Sequence, residues 1–286
     1  QHLFYQTDLI HRASQMPSVF PNFELKNRVI VISSKSGHKA FSALMTDLIP
    51  NSDMLVHSQC FPLYYYTKSD GRINLFGNSD HDYIRHDAVS EYILSRFNKS
   101  FSKKVTNEDI FYYVYGLLHN REYLEKYEND LSKELPRIPI VNDYSVFLEI
   151  SRIGKELGDL HVNYDSGNPY SAAKIDINGE LDYSVKKMKF LDKKTKDTII
   201  YNSCITIKDI PEKAYEYIVN GKSPIEWVMD RYQYKVDKKS GIINDPNDWC
   251  KEIGDEKYIY NLLLKVINLS VITVDLISEI PTLELD

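Results

Sequence analysis

Four short segments of this chain carry side chains whose hydrogen-bonding groups can contact nucleotide bases or phosphates. Arginine can bind guanine through two hydrogen bonds, asparagine and glutamine can bind adenine in the same way, and lysine binds guanine or phosphate. The four groups are Ser34, Lys35, Ser36, His38 and Lys39; Arg72 and Asn74; Lys186, Lys187, Lys193, Lys194 and Lys196; and Arg231, Gln233, Lys235, Lys238 and Lys239. For any one of these residues alone, a solvated surface side chain is the alternative interpretation. The sequence therefore predicts nucleic-acid contacts for these groups and does not single out individual residues within them.

Sequence patterns that would indicate catalysis are weak in comparison. The Asn-Pro-Tyr sequence at 168–170 is similar to the Asn-Pro-Pro-Tyr loop with which amino-methyltransferases hold a flipped adenine. It lacks one proline, follows a polar segment instead of an apolar strand, and has no glycine-rich loop upstream. A plain turn is the better interpretation. The phosphate-binding sequence Gly-x-x-x-x-Gly-Lys-Ser/Thr is absent, which argues against nucleotide hydrolysis by this segment.

Metal-binding patterns are equally weak. The Glu-Leu-Lys sequence at 24–26 has the Glu-x-Lys form of a nuclease metal site, but no aspartate is well placed to complete it. His81 and His86 lie on either side of Asp82 in a predicted loop, whereas a metal site needs at least three ligands on a defined element. We therefore predict no catalytic residue, no metal ligand and no cofactor in this chain.

The charge of the chain is unevenly distributed. The formal net charge is −6, which is unusual for a simple nucleic-acid-binding domain. Residues 183–208, however, contain seven lysines and two aspartates, a local charge of +5, while residues 275–286 contain four acidic residues and no basic one. A polarised chain of this kind can present a basic face to phosphates and keep its acidic face away. A solvated lysine-rich hairpin is the alternative interpretation.

The length and composition bound the class of protein. The 286 residues suffice for one large domain or two small domains with a real core. Cys60, Cys204 and Cys250 are odd in number and widely spaced, so we expect free thiols in a reducing cytoplasm. No stretch approaches the roughly 20 apolar residues of a membrane span, and we expect no membrane partner. Since the chain begins at Gln1, we also expect a fragment of a longer protein, with a processed mature chain as the alternative.

The order of predicted elements indicates an α+β fold. Apolar or aromatic strands are predicted at 27–33, 40–44 and 61–67, with 72–76 as the hairpin partner of the last. Helices are predicted between 86 and 160, including one that Thr106 caps together with Asp109. Strands follow at 185–191, 197–201 and 204–208, and then further helices. We expect a mixed sheet region at 1–86, a central helical segment at 87–163 and a C-terminal strand-plus-helix subdomain at 164–286, which could also form one continuous domain.

The segment 215–249 is the most specific pattern in the chain. It predicts a helix that ends at Asn220 and Gly221, a second helix that begins after Ser223 with Pro224 at its first position, and a third capped near Asp245. Trp227, on the second helix, is expected to be buried. This segment resembles the C-terminal part of the type ISP restriction-modification enzymes. So do the runs FPLYYY at 61–66, EDIFYYVYGLLH at 108–119, LPRIPIV at 135–141 and LGDLHVNY at 157–164, which follow in the order that the family shows.

That resemblance implies a function for the chain. Type ISP enzymes join nuclease, helicase-like ATPase, adenine methyltransferase and target-recognition domains in one polypeptide. A target-recognition domain would read double-stranded DNA and present an adenine to the separate methyltransferase domain. S-adenosylmethionine, ATP and Mg would then belong to other domains of the enzyme, whose methyltransferase and helicase domains would be the partners of this chain. The alternative is a docking module that couples those domains without reading DNA; a stand-alone enzyme is a third possibility.

Overall fold

The computed structural model describes residues 16–33, 40–51, 54–55, 57–69 and 83–283. Two predicted groups, Ser34 to Lys39 and the pair Arg72 and Asn74, lie outside the described residues. The chain divides into two compact units. Unit 1 comprises residues 1–162 and 279–286, and unit 2 comprises residues 163–278. Both units contain helices and antiparallel strands, so the α+β class is confirmed.

The described residues of unit 1 include a short first helix and five strands. Helix α1 spans Met16–Val19. Strand β1 (Val29–Ile32) is buried at all four residues, because it lies between β2 (Ala43–Thr46) and β3 (Gln59–Pro62) in an antiparallel sheet. The predicted strand at 61–67 is divided: β4 (Tyr64–Lys68) forms a separate two-stranded sheet.

The described partner of β4 differs from the one predicted from the sequence. Strand β4 pairs with β5 (Tyr83–Asp87), which lies further along the chain than the expected partner at 72–76. His86, expected in a loop, is therefore a strand residue. Its ring stacks on Tyr65 at 4.9 Å, and Thr67 Oγ1 lies 2.9 Å from its Nε2. Both of these contacts of His86 are with residues of β4, its paired strand.

Five further helices lie in the described part of unit 1. They are α2 (Glu91–Phe101), α3 (Asn107–Leu117), α4 (Arg121–Lys126), α5 (Glu128–Leu131) and α6 (Tyr144–Val162). The predicted cap of α3 is confirmed, because Thr106 and Asp109 form a reciprocal capping box. Helices α3 and α6 approach closely at Gly116 and Gly154, where neither residue has a side chain to separate the backbones. This helix pair is the centre of unit 1.

Unit 2 contains a four-stranded antiparallel sheet of order β6-β9-β8-β7. The strands are β6 (Lys174–Ile177), β7 (Lys189–Phe190), β8 (Ile199–Ile200) and β9 (Ile205–Lys208). Strand β6 was not predicted, since the segment around it is polar and turn-rich. It forms because it pairs with β9, about thirty residues later. Sequence periodicity does not detect a partner at that distance.

The rest of unit 2 is helical apart from one small hairpin. A 3₁₀ turn at Glu212–Tyr215 precedes α7 (Pro224–Arg231). Strands β10 (Lys235–Val236) and β11 (Ile243–Asn244) form the hairpin. Helices α8 (Pro246–Ile253) and α9 (Tyr258–Glu279) follow. The prediction of a helix that ends at Asn220 was wrong. Asn220 and Gly221 have φ angles of 52° and 84° and form a tight turn that bridges Val219 and Lys222.

Helix α9 is long and apolar enough to cross a membrane by length and composition alone. The expectation that no segment approaches span length was therefore wrong. Half of its most apolar stretch is buried inside the protein, and Ile259, Leu263 and Ile267 belong to the core of unit 2. Core helices of globular proteins can be equally long and apolar, so this single helix is weak evidence for a membrane segment.

The contact between α3 and α6 generates the first prediction. A Cβ atom on residue 154 would overlap the carbonyl oxygen of Tyr112 and lie 2.7 Å from the backbone nitrogen of Gly116. We expect Gly154→Ala to lower the free energy of unfolding of unit 1 by about 1–3 kcal/mol, because backbone atoms cannot move aside cheaply. Gly167→Ala is the control, since no heavy atom lies within 4 Å of its added Cβ. Urea denaturation followed by far-UV circular dichroism measures both; equal stability of the two variants would contradict the close contact.

Candidate nucleic-acid interface

Two of the predicted groups meet in unit 2, across a groove of about 430 Å³. One wall is the basic hairpin, which we define as residues 186–200 with strands β7 and β8. Lys187, Lys189 and Lys193 of this hairpin line the groove. The other wall is α7 with its flanking residues, and it contributes Lys222, Asp230 and Gln233 among others. The structure thus combines segments that are up to 46 positions apart in the sequence.

The turn of the basic hairpin is organised by Asp192. Its carboxylate accepts a hydrogen bond from the Lys194 amide at 2.7 Å, and its carbonyl accepts one from the Lys196 amide at 3.1 Å. Leu191 donates to the carbonyl of Thr198 at 3.0 Å and closes the turn. Because the Asp192 carboxylate is occupied by the backbone, the exposed Lys193 and Lys194 project from a defined turn.

Unlike the exposed Lys193 and Lys194, Lys196 is partly buried and forms an ion pair. Its Nζ lies 2.9 Å from Glu226 Oε1 on α7, and both side chains are only about a quarter to a third exposed, at 31% and 26%. It also lies 5.6 Å from the Phe190 ring centroid and 5.5 Å from that of Tyr215. Lys196 therefore has a structural role between hairpin and helix, unlike the phosphate contact that the sequence suggested.

Helix α7 begins as predicted. Ser223 and Glu226 form a capping box, and Pro224 occupies the first turn, where a missing N–H group costs little. Burial alone would raise the pKa of Glu226, but hydrogen bonds from Lys196 and Ser223 hold it below its ordinary value. The carboxylate is therefore charged at neutral pH, and it secures both the helix start and the hairpin.

Trp227 is less buried than expected. Ile225, Val228 and Met229 fill the core side of α7, whereas Trp227 is only partly buried. Its Nε1 donates to the carbonyl of Val219 at 2.7 Å. Two cations lie near its ring centroid, Lys222 at 5.3 Å and Arg231 at 5.2 Å. The tryptophan ring thus contacts two cationic side chains, of which Lys222 lines the groove.

The side chains beyond α7 are partly engaged. Gln233 Nε2 donates to the carbonyl of Asp230 at 2.8 Å, and Lys235 Nζ donates to the same oxygen at 3.0 Å. The carboxylate of Asp230 forms an ion pair with Lys222, so Arg231 stacks on Trp227 instead of pairing with Asp230 or Glu226. Gln233 lines the groove but uses part of its amide to cap the helix end.

Lys238 and Lys239 occupy the tip of the β10–β11 hairpin. Asp237 accepts hydrogen bonds from the amides of Lys239 and Ser240 and from the Ser240 hydroxyl. These bonds hold the pKa of the exposed Asp237 below its ordinary value. Gly241 completes the turn with a φ angle of 70°. Both tip lysines are exposed.

Sequence reasoning missed two cations of the groove, Lys189 and Lys222. Lys189 lies between lysines that were predicted as nucleic-acid contacts. The alternation of side chains along a strand could have identified it as exposed, because it follows the buried Met188. Lys222 gave no signal, because its position depends on the turn at Asn220 and Gly221. Among the described residues, no group of three His, Cys, Asp or Glu side chains could hold a metal ion.

Two features that could have indicated chemistry have structural roles. The segment at 168–170 lies against α9: the carbonyl of Asn168 accepts from Asn268 at 3.1 Å, and the amide of Tyr170 donates to the carbonyl of Leu264. In unit 1, buried His161 contacts the Tyr115 hydroxyl at 2.7 Å through Nδ1. Burial lowers the pKa of His161 well below its ordinary value. Its imidazole is therefore a neutral core group.

The chain belongs to the type ISP C-terminal specificity domain family, whose family model matches residues 1–262. It is similar to the structure of the ATP-dependent type ISP restriction-modification enzyme LlaBIII bound to DNA, with 42% identity and a TM-score of 0.84 over 99% of this chain and 18% of that one. A nuclease-deletion mutant of the type ISP enzyme LlaGI in complex with a DNA substrate mimic gives 37% identity and a TM-score of 0.77, covering 98% and 20%.

A third similar structure is the DrdV–DNA complex, with 29% identity and a TM-score of 0.80 over 98% of this chain and 27% of that one. No curated protein matches the sequence at a significant level. The chain thus spans less than a third of the length of each of these three relatives. The family assignment confirms the resemblance on which the sequence-based prediction depended.

The position of Glu226 generates the second prediction. Glu226→Ala removes half of the capping box and the partner of Lys196, so we expect the free energy of unfolding to fall by about 1–3 kcal/mol. Glu226→Gln can keep the capping interaction and should lose less. Glu252→Ala, on the exposed side of α8, is the control. Both tryptophans lie in unit 2, so urea denaturation followed by tryptophan fluorescence reports on it. If all three variants unfold like the parent, the ion pair and cap are not stabilising.

Proposed function

We propose that this chain recognises the sequence of double-stranded DNA, as the target-recognition domain of a type ISP-like restriction-modification enzyme. The observation that carries the proposal is the lysine-lined groove of unit 2, between the basic hairpin and α7. Family membership and similarity to enzymes in complex with DNA support it. A docking module that does not read DNA would have no need for these lysines.

The charges in the groove favour a polyanion over a protein surface. Its two acidic side chains are already neutralised, Asp230 by Lys222 and Glu226 by Lys196. Lys187, Lys189 and Lys193 have no acidic partner among the described residues. Three unneutralised cations along one wall suit successive phosphates, which supply affinity and register, whereas base contacts supply sequence choice.

The same proposal assigns different functions to different domains of the enzyme. The chain itself would hold the duplex, and a separate methyltransferase domain would receive the flipped target adenine. We place no catalysis, cofactor or metal in this chain. S-adenosylmethionine, ATP and Mg would serve the methyltransferase and helicase-like domains, which would be its partners in one polypeptide. A restriction-modification enzyme of this kind would act in the cytoplasm, where free thiols at Cys60, Cys204 and Cys250 are stable.

The salt dependence of binding tests the role of the lysines. We expect Lys187→Ala, Lys189→Ala and Lys193→Ala, combined in one variant, to weaken binding to duplex DNA. The slope of log K against log salt should flatten by up to ~3 units, because each phosphate contact releases about one counterion. A triple variant of the exposed Lys99, Lys104 and Lys133 in unit 1 is the matched control. Fluorescence anisotropy at several salt concentrations measures the slopes; identical slopes for both variants would exclude the groove from the interface.

Sequence-specific reading needs its own measurement. We expect the 286-residue chain, bound to a pool of random duplexes in repeated rounds, to enrich one defined sequence. Specific protein–DNA complexes exceed non-specific ones by about 10³-fold or more, which is ample for such enrichment. A pool that binds at low salt but remains random would support a phosphate-binding module without sequence choice. A failure to bind duplex DNA at low salt would reject the proposed function.

A further inference from the structure

The β10–β11 hairpin is an exposed two-stranded ribbon with two different faces. Lys235 pairs with Asn244, and Val236 pairs with Ile243. Since directly paired residues point to the same side, Lys235 and Asn244 share one face and Val236 and Ile243 share the other. All four side chains are exposed. Because these side chains are exposed, they are available to a partner.

The ribbon borders a concave surface with a particular set of groups. Lys235, Val236, Ile242 and Asn244 line it, together with Asp237, Lys238 and Lys239 at the tip, around a space of about 800 Å³. Ile242 is 67% exposed, a high value for an aliphatic side chain of this size. The surface therefore combines an amide, two aliphatic side chains and three ammonium groups with the carboxylate of Asp237, which already accepts hydrogen bonds from the amides of Lys239 and Ser240.

The amide of Asn244 is well suited to reading. Within the described part of the chain, its side chain has no hydrogen-bond partner, and it is exposed. Gln233, in contrast, already donates to the carbonyl of Asp230 at 2.8 Å. The neighbouring Asp245 caps α8 by accepting from the Asn247 amide, which fixes the backbone immediately after Asn244. Because the backbone after Asn244 is fixed, binding through this amide would order mainly the side chain.

The ribbon is also placed next to the groove. The amide of Tyr234, one residue before β10, donates to the carbonyl of Lys186 at the base of the basic hairpin, at 2.9 Å. Asn247, at the start of α8, bonds both backbone groups of Val185, at 2.8 and 2.9 Å. Both ends of the ribbon are therefore attached to the element that carries the groove lysines, so one duplex could contact both.

We propose that the β10–β11 ribbon enters the major groove of the recognised DNA and that Asn244 reads an adenine there. The major groove of B-DNA admits a two-stranded ribbon, and asparagine binds the N6 and N7 edge of adenine through two hydrogen bonds. Ile242 can contact a thymine methyl group beside it, while Lys238 and Lys239 reach phosphates. This inference rests on the proposed function, since it names the reader within the same interface.

The experiment uses the sequence enriched by the parent chain. We would measure affinities of parent and Asn244→Ala for that sequence and for all its single base-pair variants. Loss of one bidentate contact should reduce discrimination at a single A·T pair by about 5- to 100-fold, with non-specific binding unchanged. Replacement of the adenine at that pair by 7-deazaadenine, which lacks N7, should weaken binding by the parent but not by Asn244→Ala. Asn178→Ala is the matched control, an exposed asparagine elsewhere in unit 2.

The outcomes separate this inference from the proposed function. If the parent enriches a sequence but Asn244→Ala keeps the parent's profile at every position, the ribbon assignment is wrong and the proposed function stands. A loss equal on all sequences would reduce Asn244 to a non-specific contact and also overturn the assignment. Unchanged DNA binding with weakened association to the methyltransferase domain would assign the ribbon to a protein partner. Failure of the parent to enrich any sequence would reject sequence recognition itself.

Discussion

The ion pair between Lys196 and Glu226 is the interaction on which the candidate interface depends. It joins the end of the basic hairpin to the first turn of α7, two elements separated by thirty residues. Exposed ion pairs contribute little, but this one is partly enclosed by Phe190 and Tyr215, and its carboxylate also completes a helix cap. This partly exposed contact therefore joins the basic hairpin to α7, the two elements that form the walls of the groove.

This arrangement explains how an acidic chain can present a cationic surface. In unit 2, several acidic side chains are occupied internally: Asp192 and Asp237 bind backbone amides, and Asp230 and Glu226 pair with lysines. What remains unneutralised in the groove is cationic. Net charge is a sum over the whole surface, whereas a polyanion responds to the potential within about a Debye length of its phosphates. The formal charge of −6 is therefore no argument against DNA binding by this face.

Local signals made much of the fold predictable, and long-range pairing limited the rest. Capping residues such as Thr106 and Ser223 act within one helical turn, so their effects were visible in the sequence. Strand β6 and the partner of β4 were not, because each depends on a strand beyond a long connection. The same distinction holds at the site. The basic hairpin was predicted from composition, but the role of Lys196 required the position of Glu226.

The packed core of the protein and the exposed ribbon residues also differ in how they are stabilised. Glycines at the α3–α6 contact and the apolar core beneath α7 tolerate little change, because backbone or buried atoms fill the space around them. The ribbon residues Ile242 and Asn244 contribute almost nothing to that packing, since they are exposed. A substitution there leaves the groove, the caps and the Lys196–Glu226 pair in place. Under the proposed function, a domain built in this way would acquire a new recognition sequence through changes in its ribbon, while the lysines of the groove would keep the duplex in register.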